Sequence, residues 1–326
     1  MKKKLLISLS IFIFAILSMV TTTLAWFSVA QSATVSELSL TVGQGGNLDV
    51  SLDGETYYSN LSESEFGTFI RNNMKLTNVT TNDLVDFRNS YYGDEAVANV
   101  DYLTFTLYFR CDDPDMTGLY LANDVSEDYS YDAISNPNNK IEGTYVKSEG
   151  KAFRTPITFN WSDTVQREAG TTSTYLGADA LRLGFKELAF DAEDTREDEE
   201  LLTVIFDPSH DEERSYDKVN GVKEFGAFDF IRKTVKSDLT APTENLPEVI
   251  YDLSTFRYGR EAQSNTSLLG TFQHRQVVVN EETKDYYFSK IQVSVWLEGW
   301  DPDCINGIYD DIMRIQLFFR SAVKFS

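Results

Sequence analysis

The fold is decided by KIQVSVWLE at residues 290–298, where apolar and polar side chains alternate. Every second residue from Ile291 to Leu297 is a branched aliphatic one, which is the period of a half-buried β-strand. A polar loop follows, and MRIQLFFRSAVKF at residues 313–325 then repeats the alternation. These two long strands are predicted to be central in a β-sandwich.

The same period of two recurs earlier in the chain, at 103–111, 157–161 and 181–190. Helical patterns are weak and short, near 66–70 and 222–228, and the segments between strands are long and acidic. We therefore predict an all-β, mainly antiparallel fold. Its expected form is an elaborated jelly-roll-like β-sandwich with short helices and long acidic loops.

The N-terminal segment has the order of a secretory signal peptide. A cluster of three lysines precedes an apolar run from Leu5 to Val20, and small residues follow. We expect cleavage between Ala25 and Trp26, with Ala33 as the alternative site. An uncleaved membrane anchor is the other interpretation, because the apolar stretch is long enough to span a bilayer.

Cleavage defines residues 1–25 as the signal peptide and 26–326 as a single elaborated β-sandwich domain. The released protein is expected to be secreted, on the cell surface or in the extracellular space, with no stable membrane insertion. Signal peptidase is then its partner during export.

Composition limits the partners of the chain. Its 326 residues contain 29 Lys and Arg against 51 Asp and Glu, giving a net charge of −22. Such a charge repels nucleic acid phosphates and anionic lipid, so neither is an expected partner. A hydrophobic content of 42% is too high for a disordered chain.

The only cysteines are Cys111 and Cys304. In an oxidising compartment an even number of cysteines suggests a disulfide. Cys111 ends one predicted strand, Cys304 follows another, and each lies beside an Asp-Pro step. A Cys111–Cys304 disulfide is therefore one expectation, and two separate thiols are the other.

Catalytic motifs are missing from the sequence. His210 and His274 are the only histidines, and neither belongs to a His-Glu-x-x-His motif. No Gly-x-Ser-x-Gly nucleophile motif is present either. We predict a protein that is not an enzyme and has no cofactor.

Acidic clusters are the remaining candidate sites. Asp112, Asp113 and Asp115 surround one proline, and Asp301 and Asp303 surround another. Carboxylate oxygens are ligands for calcium, so these five residues are calcium candidates. The alternative is a solvated acidic surface, because neither cluster has the spacing of an EF-hand loop.

The leader and the strand behind it resemble those of the TasA/camelysin class, whose members carry a SipW-dependent-type signal peptide. The similarity lies in Thr23-Leu24-Ala25-Trp26-Phe27-Ser28, in the strand pair formed by 38–40 and 48–51, and in a long strand at 315–319. It covers about the first fifty residues, and the last forty in pattern only. The resemblance implies an exported β-sandwich protein of Gram-positive bacteria that builds fibres or matrix from copies of itself or from other surface proteins.

The strand at 34–42 is the candidate assembly element. Its apolar face, formed by Leu38, Leu40 and Val42, needs a partner sheet. We predict a hairpin with the strand at 48–52, and either a place in its own sheet or donation to the edge of another subunit. Head-to-tail donation does not close and gives filaments.

The predicted function is a non-enzymatic structural protein of the cell surface or extracellular matrix. The alternative is a secreted adhesin or carbohydrate-binding module that uses its long loops and exposed aromatic side chains. Trp161, Trp296 and Trp300 would then supply a stacking platform.

Overall fold

The computed structural model describes residues 31–43, 48–61, 74–123, 143–235, 238–243, 245–279 and 281–326. The predicted helix near 66–70 and the signal peptide lie outside these residues. The first strands are β1 (Ser32–Val42), β2 (Asp49–Ser51), β3 (Asn60–Leu61), β4 (Met74–Thr80), β5 (Arg88–Asn89), β6 (Leu103–Cys111), β7 (Gly118–Leu121), β8 (Tyr145–Ser148), β9 (Lys151–Arg154), β10 (Phe159–Asn160) and β11 (Gln166–Arg167).

The later strands are β12 (Thr172–Tyr175), β13 (Leu181–Glu187), β14 (Thr203–Phe206), β15 (Val249–Ile250), β16 (Phe256–Arg257), β17 (Glu261–Ala262), β18 (Leu268–Thr271), β19 (Gln273–Val279), β20 (Glu282–Glu298) and β21 (Asp311–Ala322). One α-helix, α1 (Ala227–Thr234), and three 3₁₀ turns (Gly177–Ala180, Asp198–Glu200 and Asn306–Ile308) complete the elements of the described residues.

Fifteen strands form one large sheet, which confirms the all-β prediction. Most neighbouring strands are antiparallel, but β1 with β21, β4 with β20, and β14 with β15 are parallel, so the sheet is mixed. The predicted long strands β20 and β21 are both central. β20 pairs with β4, β6, β13 and β19, and β21 pairs with β1, β7 and β8.

The sheet curls at β4, so that its two halves face each other. β4 pairs with β1 through Met74–Thr77 and with β20 through Asn78 and Val79. Phe319 of β21 lies 4.9 Å from Phe109 of β6 and 6.1 Å from Phe185 of β13, measured between ring centroids. The predicted sandwich therefore takes the form of one curled sheet with a shared aromatic core.

Helix α1 covers one end of this core. Phe230 of the helix lies fully buried against Phe159 of β10, with ring centroids 5.2 Å apart. The helix begins after Gly226, whose φ is +61° and whose Cα lies so close to Pro302 that a Cβ would be 2.3 Å from the proline carbonyl oxygen. The sequence pattern at 222–228 therefore covers the segment before the helix and its first two residues, and the helix itself continues to Thr234.

One sequence prediction about strand pairing is wrong. β1 forms no hairpin with β2, because β2 pairs with β6, while β1 lies between β21 on one side and β3 and β4 on the other. Of the two expectations for the cysteines, the structure has the separate thiols: Cys111 and Cys304 are both buried and are not bonded to each other.

The reason for the separate thiols is the length of β20. Cys111 is opposite Tyr287 near the start of this strand, whereas Cys304 follows its far end at Glu298. Glu298 is eleven positions after Tyr287, and this length of strand spans roughly 35 Å. A disulfide needs Cα atoms within about 7 Å.

Candidate functional site

The candidate assembly strand, β1, is a central strand of its own sheet. It runs parallel to β21 from Ala33 opposite Asp311 to Val42 opposite Phe319. Its other edge is occupied by β4 near the start and by β3 near the end. The sequence predicted that this strand either joins its own sheet or is donated to another subunit. In the single chain it lies in its own sheet.

The three residues predicted as its apolar face are all in the core. Leu38, Leu40 and Val42 are 1%, 0% and 9% exposed, whereas Ser39 and Thr41 between them are half-buried. Leu40 lies between Leu317 of β21 and Leu61 of β3. Removing β1 from this position would leave an apolar groove along β21.

A β-bulge at Ser36 fixes the register of β1 on β21. Val35 is opposite Met313 and Glu37 is opposite Arg314, so Ser36 is an extra residue in β1. Val35 and Leu38 are three residues apart, so in a regular strand their side chains would point to opposite faces. The extra residue at the bulge places both side chains on the apolar face. The Ser36 hydroxyl donates a hydrogen bond to the Met313 carbonyl at 3.1 Å, on the partner strand beside the bulge.

An ion pair lies directly after the bulge. Arg314 Nε and Glu37 Oε2 are 3.3 Å apart, and their side chains are only 20% and 24% exposed. On the far side of β21, Arg314 is opposite Lys147 of β8. Glu37 is thus the one acidic residue in a row that crosses three neighbouring strands.

The base of β1 is held by the loop between β20 and β21. The Ser32 carbonyl accepts a hydrogen bond from the Asp310 amide at 3.0 Å. The Cys304 thiol lies 3.8 Å from Gln31 Oε1, and the Tyr91 hydroxyl donates to the Gly299 carbonyl at 2.5 Å. This loop therefore contacts the first residue of β1 and the residue before it.

Two arginines hold the loop in place. Arg182 of β13 is 1% exposed, and its Nη2 lies 2.6 Å from Asp301 and 3.0 Å from Asp207. Arg214 binds Asp303 through two hydrogen bonds, of 2.8 and 3.1 Å. The carboxylates of Asp301 and Asp303 are therefore bound by arginine side chains.

Carboxylates outnumber these arginines in the buried network. Burial raises the pKa of Glu298 to about 7, although hydrogen bonds from the Trp300 amide and the Trp296 indole lower it. Burial, followed by the charge of Asp303, raises the pKa of Asp179 to about 7. Burial also raises the pKa of Asp301, although Arg182 opposes this shift. The buried network therefore contains several carboxylates whose pKa lies above its ordinary value.

The other calcium candidates lie at the surface. Asp112 and Asp115 are exposed, and Asp113 binds Arg260 at 2.6 Å. Among the described residues, no three His, Cys, Asp or Glu side chains are grouped so as to hold a metal ion. Calcium coordination at these aspartates thus has no geometric support.

The tryptophans predicted as a stacking platform are mostly in the interior. Trp296 is 1% exposed and Trp300 is 6% exposed. Trp161 is half-buried under the Arg214 guanidinium, which lies 4.1 Å from its ring centroid. These three side chains form no open aromatic surface.

Of the predicted cleavage residues, Ala25 and Trp26 lie outside the described residues. Ala33, the alternative, is fully buried in β1 and pairs with Leu76 of β4 and with Asp311 of β21. None of the helices in the described parts of the chain combines the length and apolar character needed to cross a bilayer.

The sequence analysis missed the charged residues that surround β1. Arg182 takes the polar position of the alternation between Leu181 and Leu183, so the pattern predicts a solvated side chain there. Glu37 is the only charged residue of β1. No family model, curated protein or solved structure matches this chain.

Proposed function

We propose that the protein is an exported, non-enzymatic structural protein of the cell surface or extracellular matrix, and that copies assemble by donating β1 to one another. The observation that carries this proposal is the position of β1 in the sheet: one edge pairs along β21, the other pairs with β4 and β3 near its two ends, and its apolar face is buried. The groove for β1 is built from residues of the same chain, so an identical strand from a second copy can make the same contacts.

Exchange of β1 would not require a new binding surface. Exchange of one element between identical chains needs no new contacts, so its free-energy cost is low. Each donation leaves the donor's own groove open to a further copy, and a chain of such contacts grows into a filament.

A reporter disulfide tests this proposal. Thr34 of β1 is opposite Ile312 of β21, and both side chains are half-buried. Neighbouring strands are about 4.8 Å apart, within the Cα separation that a disulfide spans. The variant Thr34→Cys/Ile312→Cys therefore links β1 covalently to whichever copy holds it.

The mature chain with both cysteines is allowed to assemble, oxidised, and run on a denaturing gel without reductant. Donation predicts a ladder of linked chains that collapses on reduction, and each single-cysteine variant serves as the control. Assemblies that yield only monomer bands would show that β1 stays in its own chain. Failure of the mature chain to form any large species would equally refute the proposal.

A further inference from the structure

We infer that the Ser36 bulge and the Glu37–Arg314 ion pair specify which strand the β21 groove accepts, so that the partner is a second copy of this chain. This inference rests on the proposed donation of β1. It adds to that proposal the residues that determine the register and the identity of the incoming strand.

The bulge provides the first condition. A strand without an extra residue opposite Met313 and Arg314 would leave the Met313 carbonyl without the Ser36 hydroxyl. A slip by one residue would turn Leu38 and Leu40 away from the core. Only a strand with this spacing places its apolar residues and its carboxylate correctly at the same time.

The ion pair provides the second condition. Arg314 and Lys147 are neighbours on adjacent strands, and like charges in that position repel each other. Glu37 places a carboxylate in the same row, 3.3 Å from Arg314 and largely shielded from solvent. A basic residue at this point of an incoming strand would lie next to Arg314 as a like charge, and wrong partners are rejected in this way.

Charge reversal in separate chains tests both conditions. Glu37→Arg and Arg314→Glu each create a like-charge pair, so neither variant alone has a compatible strand and groove. We expect each to form about tenfold fewer sedimentable assemblies than the wild type. Lys75→Glu is the matched control, because Lys75 pairs with Asp310 beside the same strand but is 43% exposed, and it should assemble normally.

An equimolar mixture of the two single variants should recover assembly, since each strand then fits the groove of the other variant. The double variant Glu37→Arg/Arg314→Glu should assemble alone, yet form separate filaments when mixed with differently labelled wild type. Both results are expected only if the Glu37–Arg314 ion pair forms between copies and determines which copies bind each other.

Normal assembly of both single variants would overturn the inference, and a cross-link ladder from Thr34→Cys/Ile312→Cys would leave the proposed function standing. Recovery in the double variant without recovery in the mixture would also overturn it, because the pair would then act only within one chain. In that case a monomer-only cross-link would refute strand donation as well.

Discussion

Replacing Arg182 by Met should remove the central cation of the buried network. Arg182 donates hydrogen bonds to Asp301 at 2.6 Å, to Ser215 at 2.7 Å and to the Leu181 carbonyl at 2.9 Å, and it pairs with Asp207 at 3.0 Å. Methionine preserves much of the side-chain volume but leaves two carboxylates buried without their cation.

The expected loss is large because both carboxylates remain shielded from water. Asp207 is 0% exposed and Asp301 is 2% exposed. Removing one partner of a buried ion pair costs about 3–5 kcal/mol of the free energy of unfolding. Since whole domains are stable by only about 5–15 kcal/mol, the Arg182→Met variant should be close to unfolding.

The loss of unfolding free energy in Arg182→Met should also depend on pH. Burial raises the pKa of Asp301 and Arg182 lowers it, so the substitution raises this pKa further. A carboxyl group with a raised pKa in the folded state contributes stability at a pH below its unfolded pKa, near 4, and loses it as the pH rises through the folded value. The difference from wild type should therefore be larger at pH 8 than at pH 5.

Urea unfolding of the mature chain at pH 5 and pH 8, followed by tryptophan fluorescence, measures both effects. Arg260→Met is the matched control, because Arg260 pairs with Asp113 at 2.6 Å but its side chain is 48% exposed. An exposed pair contributes about 0–1 kcal/mol. A loss of that size for Arg182→Met, or an equal loss at both pH values, would refute the reasoning.

Three further predictions concern the strand, the loop and the thiols. Leu40→Ala should cost about 2–5 kcal/mol of unfolding free energy in a denaturant titration, because Leu40 is fully buried, whereas Ser39→Ala should change it little. Wild-type unfolding free energy should fall between pH 5 and pH 8, because burial raises the pKa of Glu298 to about 7; a rise across this interval would contradict the prediction. Reductant should leave the melting temperature unchanged, and a thiol reagent should label Cys111 and Cys304 only after unfolding; a mass two units lower, from a disulfide, would contradict this.

The strands could be predicted where burial repeats every second residue. β20 and β21 follow the alternation at 290–298 and 313–325, and their length correctly indicated central positions. The partners of β1 could not be predicted, because Ser36 and Met313 are 277 residues apart and alternation does not encode a partner. Adjacency in sequence favoured the hairpin with β2 instead.

The candidate site was only partly predictable for the same reason. Leu38, Leu40 and Val42 have the spacing of a buried face, so their burial follows from the pattern. Asp301 and Asp303 read as a solvated acidic loop, since the arginines that bind them are 119 and 89 residues away in sequence. Long-range charge pairing leaves no periodic trace in the sequence.

The parallel pairing of β1 with β21 also imposes an order in time. At roughly 5–20 residues per second, a ribosome makes β21 about 15–60 seconds after β1. Throughout that delay the backbone groups of β1 lack the strand that later borders it along nine residue pairs. The two strands that pair along this edge are therefore not available at the same time during synthesis.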